Sequence, residues 1–125
     1  MTGDPQALAE VTALFEAYEA AFMRHDVEAL NAFFWNDPAA TRYGIADRQH
    51  GHAEIAAFRA ASAAPDFERR LLDTRITTFG PDFAVALTQF VRSDTLKRGF
   101  QSQTWVRLPD GWRIVAAHVS MIDPP

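Results

Sequence analysis

The side chains in this sequence best suited to chemistry are a phenol at Tyr18, a guanidinium at Arg42, paired amides at Gln101 and Gln103, and an imidazole at His118. Tyr18 lies between Phe15 and Phe22 on a stripe that also carries Leu8, Val11 and Leu14 at helical spacing. Its ring belongs in a core, so its hydroxyl either bonds a backbone carbonyl or faces a cavity. Arg42 alternates with Ala40 and Gly44 on one side of a short strand. Small neighbours leave room around its planar fork, which suits a carboxylate. The competing reading is an exposed edge-strand arginine, or one paired with Asp47.

Gln101 and Gln103 share a strand face with Trp105, while Ser102 and Thr104 share the other. Either set could line a pocket or face water. In the last strand Trp112, Ile114, Ala116, His118 and Ser120 alternate with Arg113, Val115, Ala117, Val119 and Met121. His118 has the chemistry of a general base, although a lone strand histidine also serves as a satisfied structural residue.

Other chemistries lack their residues. His50 and His52 flank Gly51 with no third ligand nearby, so no metal is expected, and nothing calls for another cofactor. There is no cysteine, no glycine-rich phosphate loop and no G-x-S-x-G elbow. Arg69, Arg70 and Arg75 read as charge protecting an edge strand. A net charge of −4 disfavours nucleic acid as a partner, yet a small anionic ligand needs only one or two well-placed cations. Apolar residues at 48% and charged residues at 22% fit a folded globular domain, and 125 residues fit one, spanning 1–125. No apolar run approaches the roughly 20 residues of a membrane span. Met1 to Gln6 shows no basic stretch followed by an apolar one, so a cytoplasmic location is expected.

The elements that must position these groups are helical first and extended later. The pattern predicts a helix from Pro5 to about Arg24. A second follows an Asp26 N-cap and carries Val27, Leu30, Phe33 and Phe34. A short strand is expected around Ala40 to Ile45, and a third helix from about Ala53 to Ala63 with Ile55 and Phe58 inward. Strands are then expected at Phe67 to Phe79, Phe83 to Val91, Phe100 to Leu108 and Trp112 to Ile122, with turn signals between them. Short links between long strands imply antiparallel neighbours. The expected fold is α+β: a cone in which three N-terminal helices pack on a curved antiparallel sheet, with a ligand-sized hollow between the layers.

This order resembles the NTF2-like superfamily, which includes ketosteroid isomerases and SnoaL-like cyclases. The stretches that carry the resemblance are His50-Gly51-His52-Ala53-Glu54-Ile55-Ala56-Ala57-Phe58 and the closing Gly111 to Ser120. More narrowly, the chain resembles the AtzH-like family. Here the words are Phe34-Trp35, Arg42-Tyr43-Gly44, Ala56-Ala57-Phe58-Arg59, Thr78 to Ala84 and Gln101 to Arg107. That family is associated with s-triazine and urea-type nitrogen catabolism. The resemblance implies a decarboxylating amidohydrolase that needs no metal and converts 1,3-dicarboxyurea to allophanate.

The resemblance also assigns positions. Tyr18 and Asp26 keep the spacing between the isomerases' first-helix tyrosine and the aspartate opening their second helix. The isomerases' catalytic carboxylate falls at Arg42, so proton abstraction beside a ketone would lack its base, and the pocket would attract anions instead. By this resemblance Tyr18 and Arg42 form the catalytic pair. Val115, Ala117 and Val119 would face inward, Gln103 would supply a polar wall, and Phe34 and Trp35 would join the substrate-binding set. A non-catalytic carboxylate-binding domain is the main alternative. A SnoaL-like isomerase or cyclase, with a large pocket walled by Phe15, Phe34 and Phe90, is a third. A homodimer through the outer sheet face is expected, centred on Trp105, Trp112 or His118 according to strand parity.

Overall fold

The computed structural model describes residues 3–124. Met1 and Thr2, part of the stretch read for a leader, and Pro125 lie outside the described residues. The elements run α1 (Pro5–Met23), α2 (Val27–Phe33), β1 (Thr41–Tyr43), β2 (Arg48–His50), α3 (His52–Ala61), β3 (Arg69–Thr78), β4 (Phe83–Arg92), β5 (Arg98–Leu108) and β6 (Gly111–Ile122).

Local chemistry sets the helix ends. Asp4 caps α1 by accepting from the Ala7 N–H at 2.9 Å, with Pro5 pre-set in the first turn. His25 takes a positive φ of 55° to break the helix. Asp26 then caps α2 through the Ala29 N–H at 3.1 Å. Phe34 turns extended and bridges to Ile114, and the Trp35 N–H donates to the Ile114 carbonyl at 3.0 Å. This tie fixes where the chain enters β1. No helix among the described residues is long and apolar enough to cross a membrane.

The strands form one six-stranded sheet in the order β2-β1-β6-β5-β4-β3. The sheet is mixed, which corrects the all-antiparallel expectation: β1 runs parallel to β6, with Arg42 opposite Ala117. The physical reason is that β1 reaches β6 from the other end of the chain, a pairing that no short link dictates. The strand β2 pairs antiparallel with β1 and is an element the sequence pattern did not suggest.

Val11 and Phe15 of α1, Leu30 of α2 and Ile55 of α3 meet Ala84, Ala86, Trp105 and Ile114 on one sheet face. Two irregularities bend the sheet, between Leu72 and Arg75 on β3 and at Val115 on β6. The second has a further effect: Trp105 pairs with Ile114 while Thr104 pairs with Ala116, so Val115 is the extra residue. The bulge reverses which alternate positions of β6 face the helices. Before it Trp112 and Ile114 are buried inward; after it Ala117 and Val119 lie beside the buried Gln103 and Gln101. Trp105 and Trp112 are therefore covered by helices and cannot centre an outer-face dimer. His118 lies on the outer face, edge-on to Tyr43 with ring centroids 6.1 Å apart.

Candidate functional site

Between α1, α3, the segment 62–67 and the inner sheet face lies a cavity of about 340 Å³. Its polar lining includes Tyr18 of α1, Arg42 of β1, Arg59 of α3, Arg69 of β3 and Gln101 of β5, together with Arg92 and the carboxylates of Asp47 and Asp66. The sequence-predicted pair, Tyr18 and Arg42, thus meets at one hollow.

Arg42 points inward because Ala40 is buried on the same side of the chain, while Tyr43 faces out. Its Nη1 donates to Asp47 Oδ1 at 2.7 Å and to Gln49 Oε1 at 2.8 Å. Gln49 Nε2 closes the triangle on Asp47 Oδ1 at 2.9 Å. A side chain at Gly44 would occupy the place of the Asp47 carboxylate, so the glycine makes this ion pair possible. The Arg42 guanidinium also lies 4.8 Å from the centre of the Phe58 ring. Arg42 is thus already matched by a carboxylate, and its bonds among the described residues run through Nη1 alone.

Tyr18 packs edge-on against Phe33 and Phe34 at 5.5 and 6.3 Å. Its hydroxyl accepts from Arg59 Nη2 at 2.6 Å, which leaves the phenolic hydrogen free for another acceptor. Arg59 is only 5% exposed and makes no ion pair with a carboxylate among the described residues. Its Nε is buried without a hydrogen-bond partner. Burial above all holds this guanidinium below the usual arginine range; the nearby Arg42 adds to that, and Tyr18 and Asp47 oppose it.

The opposite wall is Arg69. Its Nε pairs with Glu19 Oε2 at 2.8 Å, its Nη2 donates to Gln101 Oε1 at 2.7 Å, and its guanidinium lies 4.0 Å from the Phe90 ring centre. With its oxygen held there, Gln101 keeps a buried Nε2 that has no partner. Arg59 and Gln101 both line the cavity, and among the described residues each keeps an enclosed donor without an acceptor. Among the described residues no three His, Asp or Glu side chains are grouped to hold a metal ion.

The other sequence-predicted residues fall elsewhere, apart from Val119, which lines the cavity. Gln103 is buried on the same face but accepts from Trp105 Nε1 at 3.1 Å and stays off the wall. Ala117 packs against the core, and Val115 is the bulge residue. Phe34 is core and touches the site only through Tyr18; Trp35 is partly buried beside it. Of the aromatic wall Phe15, Phe34 and Phe90, only Phe90 lines the cavity. A second, more open depression of about 450 Å³ lies on the outer face beside Leu87, Ser102 and His118.

Sequence reasoning missed two of these arginines. Arg69, expected to protect an edge strand with its charge, instead turns a side chain only 5% exposed onto the cavity wall. The other is Arg59. A signal existed: it stands four residues after Ile55, so the two share the inward helix face, where a charge needs a reason.

Comparison with known proteins agrees with this architecture. A protein of unknown function from Pectobacterium atrosepticum is 47% identical with a TM-score of 0.95, over 98% of this chain and 95% of that one. A cystatin-like fold protein from Burkholderia xenovorans is also 47% identical, with a TM-score of 0.96 over 100% and 98% of the two chains. A ketosteroid isomerase-like protein from Erwinia carotovora atroseptica shares the fold alone, at 19% identity and a TM-score of 0.76 over 96% and 99%. No functionally curated protein matches the chain. The AtzH-like family model matches residues 1–125, and the chain therefore belongs to the AtzH-like family.

Proposed function

We propose that this protein is a metal-independent decarboxylating amidohydrolase acting on a small N-carboxylated urea such as 1,3-dicarboxyurea, with allophanate as product. The observation that carries this reading is a cavity on which Tyr18 and three inward arginines, Arg42, Arg59 and Arg69, converge. Such a wall recognises negative charge on a small planar ligand.

In the proposed reaction the arginines hold the carboxylates and Tyr18 serves the nitrogen that departs from one of them. The C–N bond of the carbamate breaks, its electron pair passes to nitrogen, and nitrogen takes the phenolic proton. The carboxylate leaves as carbon dioxide, and water reprotonates Tyr18. The departing carboxylate loses its charge as it leaves, so the strongest cationic contact belongs on the carboxylate that stays. Arg42, already matched by Asp47, suits the weaker contact. The test is carbon dioxide release from freshly generated dicarboxyurea by wild type, Tyr18→Phe and Arg42→Ala. Release above the spontaneous rate, lost in both variants, supports the reading. Turnover intact in both variants sinks the mechanism, and no release by wild type points to a carboxylate-binding domain.

We also infer a cytoplasmic homodimer built through the outer sheet face. The registers place Leu87, Ser102, His118 and Tyr43 side by side across four strands. Leu87 and Tyr43 are 46% and 41% exposed, an apolar face that a second copy would cover.

A further inference from the structure

We propose that Arg59 is the anion seat of this cavity and the residue that positions the Tyr18 hydroxyl, so that ligand and phenol meet on one guanidinium. The inference deepens the proposed function, but its binding half stands without any turnover.

Three observations carry it. Arg42 and Arg69 each have a carboxylate partner, Asp47 and Glu19, whereas Arg59 forms no ion pair among the described residues. A buried guanidinium that no carboxylate contacts is costly, the charge of Asp47 offsets only part of that cost, and a bound anion would supply the rest. Most of its five N–H donors are uncommitted, with Nη2 on Tyr18 and Nε enclosed without a partner. Thirdly, the direction of the 2.6 Å bond matters. Arg59 donates, so the Tyr18 hydroxyl keeps its hydrogen for an acceptor, and an anion held on Arg59 would be within its neighbourhood. Phe22, 5.7 Å from the Arg59 guanidinium, and Phe58 on the cavity wall add apolar surface around it. Apolar surroundings strengthen each of these contacts.

The probe is malonate, a stable dicarboxylate that cannot react. Calorimetry and thermal melts would compare wild type, Arg59→Lys, Arg59→Met, Tyr18→Phe and the Arg59→Met/Tyr18→Phe double variant. Malonate should raise the melting temperature of wild type. Its affinity should weaken about 10- to 100-fold in Arg59→Met, and by a smaller factor in Arg59→Lys, which keeps charge but not the fork. Without malonate, Arg59→Met should melt no lower than wild type, because an unmatched buried charge is gone. Tyr18→Phe should itself lose several-fold in affinity, and the double variant should lose no more than Arg59→Met alone, since Tyr18 would act through Arg59. Should Arg59→Met fail to melt cooperatively, Arg59→Lys decides the question. Malonate binding within about twofold of wild type in Arg59→Met, or in Arg59→Lys when that variant decides, overturns the anion seat. Additive losses in the double variant, or malonate affinity unchanged in Tyr18→Phe, overturn the positioning role. Dicarboxyurea turnover is absent from every arm, so failure of the proposed reaction would not imitate either result.

Discussion

The Arg59 guanidinium of α3 reaches the Tyr18 hydroxyl of α1 at 2.6 Å, across a gap of 41 residues in the chain, with both side chains buried. This bond joins a helix that packs on β3 and β4 to one that packs on β1 and β2. It therefore sets the roof of the cavity as well as the direction of the phenol. A tyrosine in an apolar stripe normally spends its hydroxyl on a backbone carbonyl; here it accepts from a cation and keeps its proton to give.

That proton leads to the first prediction. If Tyr18 donates to the departing nitrogen, Tyr18→Phe removes proton transfer but leaves the arginines in place. The expected loss in kcat is about 10²- to 10⁴-fold, the usual contribution of a positioned acid. KM should move far less, because charge recognition remains. A variant with unchanged kcat and a raised KM would make Tyr18 a binding group only.

Asp47 gives the second. Its carboxylate neutralises Arg42 and also orders Gln49. In Asp47→Asn, Arg42 would keep a hydrogen-bond partner and lose its counter-charge. Stability should fall by about 1–2 kcal/mol, below the full cost of a broken buried pair because Asp47 is partly exposed. Malonate should bind several-fold tighter and restore much of the lost melting temperature. Weaker binding in this variant would mean that Asp47 shapes the site rather than offsets its charge.

The third concerns pH. Trp112 Nε1 donates to Glu10 Oε1 at 2.8 Å and ties α1 to β6. That bond, then one from Gln6 and the charge of Arg107, holds the Glu10 carboxyl below its ordinary value of 4.5. A lowered folded value means that the stabilisation is present above the unfolded value and is lost as pH falls through the folded one. Melting temperatures of wild type and Glu10→Gln should differ at neutral pH and converge below about pH 4.5. A constant gap from pH 7 to pH 3 would show that the carboxylate charge adds nothing.

Much of this molecule was legible in the sequence where the signal is local. The helices appear within two residues of the ends their caps and periodicity predict, and the four long strands follow their turn signals. The two site residues drawn from helix one and the short strand do face one cavity. What escaped is non-local. Only the partner β1 makes a strand of Arg48–His50, which is too short to carry its own pattern. The parallel pairing of β1 with β6 follows from tertiary packing rather than from any turn. The parity of β6 changes at Val115, and a bulge leaves no mark in an alternating apolar run, so Val115 was grouped with Ala117 and Val119. Gln101 rather than Gln103 reaches the cavity because the core fills the space above Trp105 first. Arg59 lay in an alanine-rich helix, where a charged residue reads as solvent-facing until the partner of its head group is known.

The outer face supplies the last prediction. Leu87, His118 and Tyr43 stand in one cross-strand row, and Phe83 adds a further exposed ring on the same strand as Leu87. If two copies pair there, a charge in the middle of the row must be buried without a partner or must push the copies apart. Leu87→Arg should therefore convert a species of twice the monomer mass to monomer in sedimentation at micromolar concentration. The variant should still fold, since Leu87 is half exposed and no core contact is lost. Malonate affinity should survive, because the cavity lies on the inner face and is walled by one chain. A wild type that sediments as monomer removes the dimer outright. A Leu87→Arg variant that stays dimeric moves the interface to another surface, and a dimer lost together with malonate binding would mean that pairing shapes the cavity through the sheet.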